Sequence, residues 1–214
     1  RLVQNRIISC RRSTAMVKFL MKVFLETPRL VLRQFTLDDA QNLLDLDSDI
    51  EVIRYVDLGI IKGGEPLEKS YENYQNNVLS KWMHYYQQYP GYGFWATIEK
   101  SSQEFIGWFH LRPALDSQFN VSSKFFHADE IELGYRLRRV SWGKGYATEG
   151  SRALVTKSFA ELGTQCIVSS ALAENRASSR VMEKAGLMLE LKYVHPEIDR
   201  EVVKYSLRNP HKNW

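Results

Sequence analysis

Apolar positions along the chain repeat every second residue in some stretches and every third or fourth in others, and the changes of period lay out the elements. Leu30 to Phe35 reads as a strand. Thr36, with Asp38 and Asp39 behind it, then supplies an N-cap and first-turn acids for a helix to about Asp47. After a Gly63-Gly64 break a second helix opens with Pro66. It carries Leu67, Tyr71, Tyr74, Val78, Trp82 and Tyr85 at spacings of three and four until Pro90 stops it. Tyr92 to Glu99 and Phe105 to Leu111 are aromatic and β-branched runs joined by a polar KSSQE turn, which predicts a hairpin. Residues 113–128 show no strict period and are expected to form a functional or mobile loop.

From Glu130 the pattern resumes. Glu130 to Leu137 is a strand, Arg138 to Trp142 a short turn, and Gly145 to about Leu162 a helix ended by Gly163. Thr164 to Leu172 is a strand, Asn175 to Ala185 a helix stopped by Gly186, and Leu187 to Val194 with Glu201 to Leu207 a closing hairpin. The order β-α-α-β-β-β-α-β-α-β-β, without a repeat or a linker, predicts one α/β (α+β) domain over residues 23–208, with 209–214 as a short tail.

Composition agrees with a single core: 214 residues, 44% apolar and 25% charged, rule out disorder. The formal charge of +4 changes meaning once located. Arg1, Arg6, Arg11, Arg12, Lys18 and Lys22 all lie in residues 1–22 with no acid among them, and without these six the chain stands at −2. A slightly acidic body argues against nucleic acid as a partner. Residues 1–22 form a basic extension expected to stand outside the fold, with an organelle transit peptide and a plain upstream extension both open. The apolar run Ala15 to Leu25 is broken by Lys18 and Lys22 and is too short to span a membrane. Cys10 and Cys166 form no CxxC, and the five histidines, His84, His110, His127, His195 and His211, have no HxxxH spacing. No metal and no disulfide is expected, the compartment is expected to be cytoplasmic, and Cys166 is expected to be a buried, inert thiol.

The stretch Tyr135 to Gly150, YRLRRVSWGKGYATEG, runs a strand through a turn into a helix that begins among small residues. Gly143 and Gly145 let an anion approach the main chain, and the exposed N–H groups and helix dipole attract it. The spacing is neither a Walker loop nor a dinucleotide GxGxxG, because no Ser or Thr follows Lys144 and Thr148 stands where a third glycine would be. A second segment, ALAENRASSRVMEKAGL (residues 171–187), follows about 30 residues later.

Together, WGKGYATEG and NRASSRVMEKAGL resemble the two cofactor motifs of the GNAT superfamily of acetyl-CoA-dependent N-acetyltransferases. EIELGYRL (residues 130–137) and LETPRLVLRQFTLDDA (residues 25–40) are similar to the branch holding the bacterial ribosomal-protein alanine/serine N-acetyltransferases. The resemblance implies a mixed, mainly antiparallel sheet with acetyl-CoA in a cleft between two splayed strands. It places the pyrophosphate on Trp142, Gly143, Lys144, Gly145, Tyr146 and Ala147, the pantetheine arm along the Leu137 backbone, and a pantetheine or acetyl contact at Asn175. Trp142 departs from the family's Gln or Arg, and Met182 stands where many members carry an acidic Tyr. Ser178, a water or a Tyr from elsewhere would then protonate the leaving thiolate, unless the step needs no acid.

Amine acetylation needs a neutral nitrogen, so a carboxylate that removes a proton is expected. Glu130 and Glu132 share a strand face, and Glu132 matches the branch's acidic position; Glu130, Glu197 or water are the alternatives. The expected reaction is direct transfer of acetyl to a primary amine in a ternary complex. A peptide or protein N-terminus is slightly favoured as acceptor over a small amine such as an antibiotic or polyamine, and a non-catalytic acyl-CoA-binding domain is the rival reading. The 113–128 segment is expected to select the acceptor, some of the aromatic residues of the second helix to line its cleft, and both monomer and homodimer stay open.

Overall fold

The computed structural model describes residues 22–210. The expected basic extension lies outside the described residues apart from Lys22, as does most of the 209–214 tail. Strands β1 (Val23–Glu26), β2 (Leu30–Gln34), β3 (Gly93–Glu99), β4 (Phe105–Pro113), β5 (Glu130–Leu137), β6 (Cys166–Leu172), β7 (Met188–His195) and β8 (Arg200–Arg208) form one sheet in the order β1-β2-β3-β4-β5-β6-β8-β7. Every neighbouring pair is antiparallel except β5 with β6, so the sheet is mixed and mainly antiparallel as expected.

Helices α1 (Ala40–Ser48), α2 (Ile50–Ile53), α3 (Leu58–Ile61), α4 (Tyr71–Asn73) and α5 (Ser80–Gln88) lie between β2 and β3, with a π-helical segment, Tyr74–Leu79, joining α4 to α5. Helices α6 (Gln118–Ser123), α7 (Tyr146–Ala160) and α8 (Arg176–Lys184) follow. The predicted second helix therefore starts at Tyr71 rather than Pro66, where the Ser70 side chain accepts from the Asn73 N–H. The segment expected as a loop holds a 3-10 turn, Ala114–Asp116, and α6, with Asn120 and Ser123 buried. Strand β1 and the four-residue helices α2 and α3 are additions to the expected order. Asp49 and Asp57 cap those two helices, accepting from the N–H groups of Glu51 and of Gly59 and Ile60.

Alternation along the strands sends Phe109, Leu111, Leu133 and Leu137 to one face, where α7 and α8 cover them with Leu154 and Met182. Phe94 and Trp108 point to the other face, under Leu43 and Leu46 of α1 and Leu79 of the π segment. A third apolar cluster, with Ile61, Phe126, Val168 and Val202, covers the β6–β8 end, and the residue parity along β6 puts Val168 on that same second face. Between these two clusters the sheet carries a polar strip: His110 and Arg112 of β4, opposite Gly134 and Glu132 of β5.

The feature that positions the site is the short β5–β6 ladder. It holds Glu130 with Cys166, Ile131 with Ile167 and Glu132 with Val168, and no further pair, although β5 runs on to Leu137 and β6 to Leu172. Beyond Glu132 the two strands part, and the backbone there is open to a ligand. No described helix is long and apolar enough to cross a membrane.

Candidate active site

The N-terminus of α7 lies in one cleft with Tyr135, Arg136 and Leu137 at the far end of β5. Gly143 and Gly145 have φ of +73° and +82°, and a Cβ at Gly143 would meet nothing within 4 Å. The first-turn N–H groups of α7 are thus approachable by a phosphate, as the sequence implies. Arg29 holds the loop from behind. Its Nη1 donates to the Lys144 carbonyl at 2.9 Å, its Nε to Glu149 at 2.6 Å, and its guanidinium lies 4.5 Å from the Tyr146 ring centre. Glu149 also accepts from the Arg29 N–H and from the Thr27 hydroxyl. Sequence reading places no function on Arg29, since its partners lie more than a hundred residues away.

Two side chains of the predicted loop are engaged by protein rather than left free for a phosphate. Tyr146 is buried, with its hydroxyl donating to Glu99, so only its main chain is offered to a phosphate. Trp142 donates its indole N–H to the Leu137 carbonyl at 2.8 Å. That carbonyl, expected to serve the pantetheine arm, is engaged by protein and keeps one lone pair for a further donor. Trp142 therefore fixes the strand-to-loop turn in place of the family's polar residue.

A cleft of about 380 Å³ extends from this loop along β5 and α8. Gly143, Gly145, Ala147, Leu137, Asn175 and Ser178 all line it, and Arg54, Arg180 and Lys184 border it with positive charge suited to a polyphosphate. The residues present fit coenzyme A: an anion-binding turn, an open strand edge and a basic rim. Among the described residues no group of three His, Cys, Asp or Glu side chains is placed to hold a metal ion.

Asn175 caps α8 by accepting from the Ser178 N–H at 3.2 Å, which leaves its amide nitrogen for another contact. Met182 is buried in the core, so the usual tyrosine position is apolar here. A tyrosine arrives from β5 instead: the Tyr135 hydroxyl stands 3.4 Å from Ser178 Oγ, as donor to it. Burial pushes the Tyr135 phenol up in pKa, so it stays protonated and able to give a hydrogen bond. Tyr135, Asn175 and Ser178 also line a second cavity of about 340 Å³ on the other side of β5.

That second cavity contains the acidic candidate. Glu132 is buried, and its Oε2 accepts from Arg112 Nε at 2.8 Å and Nη2 at 2.7 Å. Burial would raise its carboxyl, but the Arg112 charge, His110 and Asn120 outweigh this and hold it down, at about 2. Glu130, on the same face, is bound by the buried Lys204 at 2.7 Å. Glu197 is exposed beside His195, its N–H donating to His195 Nδ1 at 3.2 Å. Cys166 is buried in the third cluster with its thiol pushed up by burial, as expected for an inert residue.

The description "Acetyltransferase (GNAT) domain" belongs to the family whose profile matches residues 29–188. The chain belongs to the GNAT acetyltransferase family. This acetyltransferase is 30% identical over 189 residues, 86% of its own length and 75% of the relative's, to the FsC-acetyl coenzyme A-N(2)-transacetylase of Aspergillus fumigatus. It is 29% identical over 168 residues, 78% of its length and 83% of the relative's, to the uncharacterized N-acetyltransferase YoaA of Bacillus subtilis. In fold it is similar to a GNAT-family acetyltransferase from Bacillus anthracis, at a TM-score of 0.66 and 22% identity, covering 86% of this chain and 98% of that one. It is also similar to the RimL ribosomal L7/L12 α-N-protein acetyltransferase in complex with coenzyme A, at 0.68 and 15%, covering 89% and 100%. The GNAT acetyltransferase is an N-acetyltransferase that uses acetyl-CoA as cosubstrate.

Proposed function

We propose that the acceptor is the primary amine of a small molecule, acetylated by direct attack on the thioester in a ternary complex. The observation that carries this reading is the size and apolar lining of the second cavity. Leu58 and Ile61 of α3 and Phe119 of α6 line one side of it as parts of one continuous apolar cluster, which narrows the space left for an acceptor. About 340 Å³ lies in the range of small-molecule sites. The sequence leans slightly toward a peptide N-terminus; the apolar side of the cavity, and a relative whose name specifies N(2) transfer on FsC, favour the smaller acceptor.

In this reading acetyl-CoA lies along β5 with its pyrophosphate on the Gly143–Ala147 turn and its acyl end near Tyr135, Ser178 and Asn175. Nitrogen attacks the carbonyl carbon, the C–S bond breaks, and the thiolate takes a proton. Tyr135, held against Ser178, is the donor for that proton. Tyr135→Phe is expected to lower kcat about tenfold, short of the largest general-acid effects because a thiolate leaves readily. Affinity for acetyl-CoA should stay within a factor of two. Steady-state kinetics beside calorimetry check this, and unchanged kcat removes Tyr135 from the step.

The segment 113–128 selects the acceptor through Phe119, which stacks on His195 at 3.8 Å between ring centres. Phe119→Ala is expected to raise the acceptor KM about tenfold and leave the acetyl-CoA KM unchanged. The deciding experiment is an acetyl-CoA turnover screen of amino acids, polyamines, aminoglycosides and N-terminal peptides. Small amines should exceed peptides in kcat/KM by at least about tenfold. Turnover of peptides alone would overturn the small-molecule assignment.

A further inference from the structure

We propose that His110 is the general base that takes the proton from the acceptor amine, and that Glu132, held by Arg112, positions it. This inference rests on the acetyl-transfer reading above and deepens it at the same site. His110 lies in the middle of β4, on the polar strip between the two apolar clusters. It is only 6% exposed, yet it borders both the 340 Å³ cavity and a further cavity of about 510 Å³ under α1, α3 and the π segment. The ring is thus part of the partition between them.

Three observations meet on this ring. First, both of its nitrogens are buried without a hydrogen-bond partner. Nε2 stands 3.5 Å from Glu132 Oε2, too long for a good hydrogen bond though close enough to feel its charge, and Nδ1 has no partner. Such groups are rare in folded proteins and point to a ligand that completes them. Second, the ring has been given room. Gly134 lies opposite it on β5, and a Cβ there would come within 2.5 Å of His110 Cε1 and 2.7 Å of Nε2, so any larger residue would force the imidazole from this place or the strands apart. Third, its orientation is fixed by aromatic neighbours, Trp108 stacked at 5.7 Å and Phe94 edge-on at 5.0 Å.

The surrounding charges leave His110 neutral and Glu132 ionised. Burial and the Arg112 charge hold the imidazole below the usual histidine pKa, against the opposing pull of Glu132, with Arg136 adding to the lowering. From the helical side, Asp47 of α1 is tied to Arg136 and the Tyr74 hydroxyl, and Asp57 is tied to Lys69; the exposed Glu68 borders the larger cavity. A carboxylate fixed by Arg112 is a weak proton acceptor. The charge of that carboxylate, nearer Nε2, favours the tautomer with its hydrogen there, leaving the Nδ1 lone pair to accept a proton once an amine in the bordering cavity, or a water carried in with it, reaches the ring.

The step balances as follows. An N–H proton of the amine passes to His110 Nδ1 as the N–C bond forms at the thioester carbonyl. The C–S bond breaks with its electron pair on sulfur, and the Tyr135 hydroxyl protonates the thiolate. The imidazolium then releases its proton to solvent and the phenolate regains one, giving the amide and free coenzyme A.

The test uses the full chain and whichever amine the screen finds turned over fastest, peptide or small molecule, so a failed substrate assignment does not decide the role of His110. H110Q and H110N should each lower kcat at saturation by 10²-fold or more while calorimetric affinity for acetyl-CoA stays within twofold. A base works only when unprotonated, so wild-type kcat should fall as pH drops through one step below the ordinary histidine value. That step should vanish in H110Q. In E132Q it should move to lower pH, since the charge that raises the imidazole is gone, and at least a tenth of the activity should remain. A ¹⁵N-histidine NMR titration of the wild type should show one imidazole whose midpoint matches the kinetic step, a reading that needs no variant to fold. Near-wild-type kcat in the His110 variants, absence of a matching imidazole, or loss of both step and activity in E132Q with the step kept in H110Q would overturn the proposal, the last giving the base to Glu132.

Discussion

Gly145→Glu is expected to weaken acetyl-CoA binding on the order of 10³-fold, the largest effect on ligand affinity that the structure suggests. Space is not the obstacle, because a Cβ at Gly145 meets only Arg29 Nη2, at an ordinary 3.5 Å. The φ of +82° is, since an L-residue there costs about 1–2 kcal/mol and the turn will shift to relieve it. The new carboxylate would also face the pyrophosphate, a repulsion of about 1–4 kcal/mol between unit charges near 4 Å at a protein surface. Gly145→Ala separates the two contributions, because it adds strain without charge and should weaken binding no more than about thirtyfold. Calorimetric titration with acetyl-CoA reads both, and wild-type affinity in Gly145→Glu would move the pyrophosphate away from this turn.

Lys204→Met is expected to cost the fold about 3–5 kcal/mol. Lys204 is fully buried, with Nζ on Glu130 at 2.7 Å, Glu190 at 3.2 Å and the Phe125 carbonyl at 2.9 Å. Removing the cation strands the buried Glu130 carboxylate beside the last rungs of the β5–β6 ladder, and an unpaired buried charge is far more costly than a lost surface pair. Urea unfolding should show the midpoint falling, and Tm should drop by roughly 6–20 °C for a domain of this size. Adding Glu130→Gln to Lys204→Met should recover more than half of the loss, because the stranded charge is gone. A loss below about 1 kcal/mol in the single variant would show that the cluster is solvated on opening of the β5–β6 end.

The strand, turn and helix proposed to hold the cofactor are legible in the chain because their signals are local. A strand, a turn of small residues and a helix follow one another within residues 135–150, and Asn175 to Ser178 is a single capped turn. The half proposed to take the acceptor is assembled by sheet register, which periodicity does not report. His110 is one polar residue in an aromatic strand, and what distinguishes it is Gly134 lying directly across from it. Glu132 looks available until β4 brings Arg112 opposite. The helices α2 and α3 span one turn each, too few residues for a helical period, though Asp49 and Asp57 were usable start signals. Residues 113–128 hid α6 because Asn120 and Ser123, its buried positions, are polar and spend their hydrogen bonds inside the turn, on the Ala114 and Asn120 carbonyls.

The Arg29 clamp makes the outer hairpin and the anion turn one thermodynamic unit. Thr27 and Arg29 belong to the link between β1 and β2, and through Glu149 and the Lys144 carbonyl they hold the turn that the pyrophosphate would occupy. Linkage is reciprocal, so whatever free energy the hairpin contributes to ordering that turn is returned to the hairpin when the nucleotide binds. With the pyrophosphate on that turn, two strands at the rim of the sheet, remote in sequence from both motifs, should fray least while the cosubstrate is in place.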